Sequence, residues 1–487
     1  MSWRVAAITV CLLNQSLLPT QAENARPNIL LIVADDQSSQ DLQIYNPRSS
    51  LQTPVLAALA ERGVVLENAC HMGSFSGAVC TPSRHMIMTG RTVWHLPNVR
   101  GNIRNCPEDI VEWTLPAVFR RAGYATMRTC KRGNSYEAAN QQFEIRHDAT
   151  KRGAAADNGS PWHAERVLDF LQQRQQEQDE RPFLIYLGFS HPHDQRDGTP
   201  ELLARYGAVN HRDQQQAPPL HPDQPQLPVN YLPAHPFDTT HADVRDEIAV
   251  SGVWKRRDVA TVRNELGRQF ACSELIDQQI GRVLQRLEQS GELENTIVIY
   301  TADHGMSIGR HGLMGKQNLY QHTWQVPFIA AGPGIAKGLR APGNVYLLDL
   351  LSTLCDLSGV PIPESSEGLS MRSVLDGTAE QTRDIMYGVY SGGSKPGIRC
   401  LRRGDWKLIT YQAPDREIDE VQLFDLKTNP QEFLLEHQRP EVIAATGIQP
   451  LPEQISLAGD PAHAAQLQKM LALLKREMQR LGDPHAE

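Results

Sequence analysis

Four short apolar runs, each closed by polar residues, punctuate the chain as far as residue 305. Ile29-Leu30-Leu31-Ile32-Val33 leads into Asp35-Asp36-Gln37, and Tyr124 to Thr129 leads to Lys131. Phe183-Leu184-Ile185-Tyr186-Leu187 leads into Ser190-His191-Pro192-His193-Asp194, and Ile297-Val298-Ile299-Tyr300 into Asp303-His304-Gly305. Unbroken apolar runs of this length suit strands covered on both faces. Helical patterns over 115–122, 164–173 and 265–290 separate them. The last places Leu266, Phe270, Leu275, Ile280, Val283, Leu284 and Leu287 on one broad face, and Gly291 closes it. Strand-helix alternation of this kind predicts an α/β fold. Because sites in open α/β sheets collect beyond the carboxyl ends of the strands, four polar clusters in that position imply one shared pocket.

After Asp376 the texture changes to short strand-like pieces at 386–390, 400–402, 406–411 and 422–425, with a final amphipathic helix over 464–481. The chain therefore divides into a catalytic-sized domain over 26–378 and a smaller C-terminal α+β subdomain over 379–487. Between Asp194 and Val250 runs a proline-rich excursion, including Pro218-Pro219, Pro222, Pro225, Pro228, Pro233 and Pro236. A loop that long inside a domain is usually functional, and this one leaves directly from His193, so it is expected to be a substrate-facing lid.

The N-terminus carries Arg4, the apolar run Val5 to Leu13 and a cleavage-like Thr20-Gln21-Ala22, which reads as a signal peptide over 1–22 and implies export to a periplasm or the exterior. No other segment is apolar enough to span a bilayer. The net charge of −8 and the absence of a long Lys/Arg block give no support for nucleic-acid binding. The charge would also repel an anionic substrate at long range, so any anion site must be locally basic. Outside Cys11 and Cys80, the cysteines Cys70, Cys106, Cys130, Cys272, Cys355 and Cys400 contain no C-x-x-C pair, which argues against zinc.

Adjacent carboxylates beyond a strand raise each other's pKa unless a cation neutralises them. Asp35-Asp36 and Asp303-His304 together offer mostly oxygen ligands, suited to Ca²⁺, with Mg²⁺ as the tighter variant. Pro82 and Gly90 bracket a short helix with Cys80 just ahead of its N-terminus, where the helix dipole would acidify a thiol.

The stretch Cys80-Thr81-Pro82-Ser83-Arg84, continuing through Met86 to Thr89-Gly90-Arg91, resembles the C-x-P-S-R...T-G-R signature of the type I sulfatases. The resemblance covers nearly the whole mature chain. It implies an alkaline-phosphatase-like fold, a large mixed, mostly parallel sheet flanked by helices with a smaller antiparallel C-terminal sheet. It also implies a maturation enzyme that oxidises Cys80 to formylglycine, whose hydrate is the nucleophile. By the same resemblance Asp35, Asp36, Asp303 and His304 hold one divalent cation, usually calcium, together with a formylglycine oxygen at Cys80. Arg84 holds the diol, Lys131 and Lys316 contact sulfate oxygens, and His193 protonates the departing alcohol.

In one place the pattern is broken. Many sulfatases read G-K-W-H where this chain has Cys130-Lys131-Arg132-Gly133-Asn134, so a histidine that helps expel sulfate is missing; His71, His85 and His191 are the candidate substitutes. Asn318 and His311 are expected at the border of the pocket. Ser190-His191-Pro192-His193-Asp194 with Gly198-Thr199-Pro200-Glu201-Leu202 further resembles bacterial exosulfatases of sulfated glycans, some acting on galactose-type 4-sulfates. The competing readings are a choline- or aryl-sulfatase, a phosphoester hydrolase of the same superfamily, and an inactive homologue that binds sulfated glycan. A phosphatase would want Ser or Thr as nucleophile and two metals, and sequence supplies ligands for one.

Overall fold

The apolar runs become four adjacent parallel strands: β1 (Asn28–Asp35), β2 (Ala125–Lys131), β3 (Phe183–Pro192) and β4 (Thr296–Ala302). They lie side by side in the order β4-β1-β3-β2 at the centre of an 8-stranded sheet. Phe328–Ala331 runs antiparallel beside β4, so the sheet is mixed and mostly parallel. The computed structural model describes residues 26–97, 106–150, 159–211, 213, 215–239 and 257–486. The expected signal peptide and the excursion beyond Thr239 lie outside the described residues.

Ile29 to Val33 are all 0% exposed, which places both faces of β1 under cover. Full burial of each such side chain contributes about 1.5–3 kcal/mol relative to exposure. Register then fixes where the polar residues fall: Ile32 stands opposite both Leu187 and Tyr300, Ala34 opposite Ala302, and Asp35 opposite Pro192. The clusters at the carboxyl ends are consequently level with one another.

Of the helices, α1 (Cys80–Thr89) starts before the expected Pro82, so Cys80 occupies the first turn instead of preceding it. Gly90, at φ 65, ends it in the left-handed region that glycine enters without steric penalty. α2 (Ser160–Glu177) and α3 (Val259–Gln289) are longer than their apolar patterns suggested. For α3 the extension runs back to Asp258, whose carboxylate caps it by accepting from the Thr261 N–H at 3.0 Å.

The C-terminal pieces form an antiparallel succession, β5 (Ile385–Tyr390), β6 (Gly397–Arg403), β7 (Trp406–Ala413) and β8 (Ile418–Asp425), covered by α4 (Ala464–Leu481). A two-residue strand from just ahead of α1, Gly73–Ser74, pairs in parallel with β5. Gly73 has φ +96, and a Cβ there would meet the Val389 carbonyl oxygen at 1.8 Å, so only glycine allows this junction. Lys407 pairs with Glu432 at 2.5 Å, and the second Glu432 oxygen accepts from the Gln321 N–H at 2.7 Å. The small sheet is thus bolted to the loop that follows Lys316.

In its described part the proline-rich excursion is a fastened strap, not the expected lid. Arg196 is buried with Nε donating to Gln269 Oε1 at 2.8 Å. Leu232 N–H donates to the Gly309 carbonyl at 3.3 Å, and the Asn230 carbonyl accepts from the His311 N–H at 2.7 Å. Residues between the prolines supply the hydrogen bonds that proline itself cannot donate.

Gly305 closes the turn after β4, and a Cβ there would meet the His322 carbonyl oxygen at 2.1 Å. Gly305→Ala should therefore destabilise by about 1–3 kcal/mol, seen as a lower urea midpoint at unchanged slope. A variant as stable as the parent would show that this turn has room.

Candidate active site

Each side chain of the site is delivered by a strand end or by α1. Asp35 ends β1, and Asp36 follows at φ 72, a left-handed conformation uncommon outside glycine but tolerated by Asp. Its N–H donates to Asp303 Oδ1 at 3.2 Å and its carbonyl accepts from Gln269 Nε2 at 2.9 Å, which fixes the turned backbone. The turn aims both carboxylates at the first turn of α1. There Cys80 Sγ lies 3.6 Å from Asp35 Oδ1, 3.9 Å from Asp36 Oδ1, 3.1 Å from His304 Nε2 and 3.5 Å from Lys316 Nζ.

Cations enclose this centre. Lys131 Nζ donates to Asp35 Oδ1 at 2.7 Å, and Lys316 Nζ lies 2.8 Å from both Asp36 oxygens. Arg84 Nε donates to Asp303 Oδ2 at 3.1 Å, its second nitrogen lies 3.6 Å from Asp35, and a third contacts Cys130 Sγ at 2.6 Å. His193 Nε2 stands 3.7 Å from Asp36, while its Nδ1 is paired with the Asp194 carboxylate.

Burial works against ionising Asp35, yet Lys131, His193 and Arg84 outweigh it and hold the carboxyl below its ordinary range. Asp36 is lowered in the same way, against burial, by His193, Lys316 and His304. Burial would also raise the Cys80 thiol, but Lys131, Lys316 and His304 bring it well below its usual value. Burial would lower His193, and Asp36 with Asp194 raises it to about 9, so the ring is cationic at neutral pH. Asp303 behaves differently: burial, reinforced by Cys80 and Asp35, pushes it up to about 6.

The donor set at this centre fits a divalent cation. Asp35, Asp36, Cys80, Asp303 and His304 each present one donor atom, all within 4.8 Å of one another and all buried. An oxygen-rich set of this kind suits a hard ion. A second group, Asp36, His193 and Asp194, also brings its donor atoms together, although His193 and Asp194 already satisfy each other as an ion pair.

The structure thus gathers Asp35, Asp36, Cys80, Arg84, Lys131, His193, Asp303, His304 and Lys316 at one centre. It does not bring the candidate substitute histidines to Cys80. His71 Nε2 lies 3.0 Å from the Thr323 carbonyl, its ring edge-on to His304 at 6.3 Å, and burial lowers it to about 3. His85 is turned away, with Nδ1 2.7 Å from the Thr81 carbonyl and its ring stacked on Tyr136. His191 Nδ1 lies 3.4 Å from Ser160 Oγ.

Asn318 and His311, expected at the border of the pocket, hydrogen-bond to none of the residues gathered at the centre. Asn318 accepts from Tyr320 N–H and Thr323 Oγ1, and His311 stacks on Tyr320 beneath the C-terminal subdomain. Both hold the loop that carries Lys316. Sequence reasoning gave no role to Asp194 or Gln269. A carboxylate immediately after His193 was a readable signal for the first; Gln269 sits in the middle of α3 with nothing in its pattern to distinguish it.

Comparison with known proteins agrees with this geometry. The family profile described as Sulfatase matches residues 27–360, and one described as N-sulphoglucosamine sulphohydrolase, C-terminal, matches residues 309–447. A choline-sulfatase of Rhizobium meliloti (strain 1021) is 27% identical over 468 residues, covering 86% of this chain and 85% of its own. A protein solved in complex with its substrate D-glucosamine-2-N,6-O-disulfate superposes with a TM-score of 0.66 at 20% identity, over 95% of this chain and 99% of that one. The phosphonate monoester hydrolase of Agrobacterium radiobacter does so with 0.68 at 17% identity, over 94% and 96%. At such identities the solved structures establish the fold. With a profile match running through all four strand ends and the Cys80 helix, the chain belongs to the sulfatase family and is a sulfuric ester hydrolase.

Proposed function

We propose that this enzyme hydrolyses a sulfate monoester on a carbohydrate, using a formylglycine made from Cys80 and one divalent cation, with Ca²⁺ preferred over Mg²⁺. The observation that carries the reading is the convergence of Asp35, Asp36 and His304 on Cys80 Sγ, with Lys316 and Lys131 on the same carboxylates. In the modified protein the sulfur position stands for a hydroxyl oxygen of the hydrated aldehyde. That hydrate would supply an oxygen nucleophile, and a cation held by Asp35, Asp36, Asp303, His304 and residue 80 would supply Lewis-acid polarisation of the sulfate.

The chain's own residues do the remainder. Lys131 and Lys316 flank residue 80 and would hold the sulfate oxygens, offsetting charge as the ester S–O bond breaks. Arg84, anchored on Asp303, fixes the first turn of α1 and the orientation of residue 80. His193, braced by Asp194, would give its proton to the departing alcohol oxygen. The carbohydrate assignment draws on the amino-sugar disulfate bound by the solved relative and on the glycan-sulfatase-like stretch around His193. Export and dependence on a formylglycine-generating enzyme belong to the same proposal, as does the domain division near residue 378. The choline-sulfatase relative supports a second reading, choline sulfate as substrate.

The deciding experiment counts sulfate released from a panel: galactose 4-sulfate, N-acetylgalactosamine 4-sulfate, glucosamine 6-sulfate, choline sulfate, and matching phosphate and phosphonate monoesters. At least one sugar sulfate should exceed choline sulfate and the phosphorus esters by about tenfold or more in kcat/KM, a difference of about 1.4 kcal/mol. Faster turnover of choline sulfate or of a phosphorus ester would reverse the assignment.

Exhaustive chelation should lower both the melting temperature and the turnover, and Ca²⁺ should restore them, because an ion bound only by the native state stabilises it. Unchanged melting and rate would show that the carboxylates hold no essential ion.

His193→Ala should slow alkyl sulfates by about 10²–10⁴-fold while sparing an activated aryl sulfate, whose leaving group needs little protonation. Asp194→Asn should show the same leaving-group dependence in milder form. Equal losses on both ester types would remove His193 from the acid role.

A further inference from the structure

At the far end of the C-terminal sheet lies a cavity of about 550 Å³ whose lining includes Arg403, Asp405, Trp406, Asp425, Lys427 and Lys469. Trp406 stands opposite Arg403 across the β6-β7 hairpin and opposite Asp425 on β8. Cross-strand partners project from the same face, so the three side chains form a row. Lys469 reaches the cavity from α4. The inner edge of the Trp406 indole packs on the C-terminal core and beside His463, with ring centroids 5.8 Å apart, while the side chain stays partly exposed. None of the ion pairs formed among the described residues involves Arg403, Lys427 or Lys469.

We infer that this cavity is a second saccharide-binding site, distinct from the reaction centre, that holds a sulfated glycan chain. A flat, partly exposed indole offers a stacking surface for the C–H face of a sugar ring. Asp405 and Asp425 accept hydrogen bonds from hydroxyl groups, and Arg403, Lys427 and Lys469 take up sulfate. The balance of acids and bases distinguishes the site from a plain polyanion patch. Asp384, another lining residue, immediately precedes β5, whose other end reaches the Cys80 loop through the Tyr390 hydroxyl donating to the Gly77 carbonyl at 3.1 Å. The strand that joins the two neighbourhoods, Ile385–Tyr390, is roughly 20 Å long, a length a polymer spans and a monosaccharide does not. Tethering a chain here would raise the local concentration of its sulfate esters. The choice of a sulfated glycan as ligand rests on the proposed carbohydrate substrate.

Affinity gels carrying chondroitin 4-sulfate, heparin or λ-carrageenan, each beside its desulfated form, test the site in the full protein. At least one sulfated polymer should retard the parent. Trp406→Ala, and separately the double variant K427Q/K469Q, should weaken that retardation at least fivefold, with kcat/KM on a small aryl sulfate unchanged. The double variant keeps the test open if Trp406→Ala does not fold. Parent-like retardation of a folded variant, or no retardation of the parent by any polymer, overturns the inference. If the site binds but no sugar sulfate is hydrolysed, it is the carbohydrate-substrate reading that fails.

Discussion

Three buried carboxylates, Asp35, Asp36 and Asp303, meet within a few ångströms, and the surrounding structure is organised by the need to neutralise them. At an effective dielectric of 20, two unit charges 4 Å apart interact by about 4 kcal/mol, so such a cluster persists only with cations fixed around it. Lys131, Lys316, Arg84, His193 and His304 meet that need, each held at 8% side-chain exposure or less. The same arrangement depresses the thiol of residue 80, while burial raises Asp303. Catalytic geometry and electrostatic stability are here one arrangement: the groups proposed to grip sulfate are those that make the carboxylate cluster tolerable.

Holding these groups level requires structure at a distance. Strand register sets Asp35 beside Pro192, and Gln269 from α3 pins the turned backbone of Asp36. The C-terminal subdomain contributes through the Lys316 loop: Glu432 fastens Gln321, and its carbonyl lies 2.8 Å from His311 Nε2. Gly73–Ser74 ties the same sheet to the segment that leads into Cys80. The small sheet therefore acts as a clamp on two sides of the site.

Much of this was legible in sequence. The β1, β3 and β4 runs read correctly because strands buried on both faces lose polar alternation, and the polar residues after them had to emerge at the same end of a parallel sheet. The Cys80 stretch carried its own chemistry. Other features depended on long-range contacts that no local pattern encodes. The proline-rich segment looked like a lid from composition, but its fastening uses backbone groups of Asn230 and Leu232 against residues 309–311. His311 and Asn318 sit near Lys316 in sequence, but His311 reaches the subdomain junction at the Glu432 carbonyl and Asn318 turns back on Ser307 and Thr323. The histidine missing at Gly133-Asn134 has no replacement within hydrogen-bonding reach of Cys80 among His71, His85 and His191. Lys316 and His304 are the basic groups that touch the sulfur.

Mass analysis of the peptide spanning residue 80 tests the central claim most directly, in preparations made with graded amounts of a formylglycine-generating enzyme. The account predicts the aldehyde, or its hydrate, in place of the thiol, with turnover rising in proportion to the converted fraction and vanishing in fully unconverted protein. A fully active preparation whose residue 80 is entirely unmodified cysteine would contradict it.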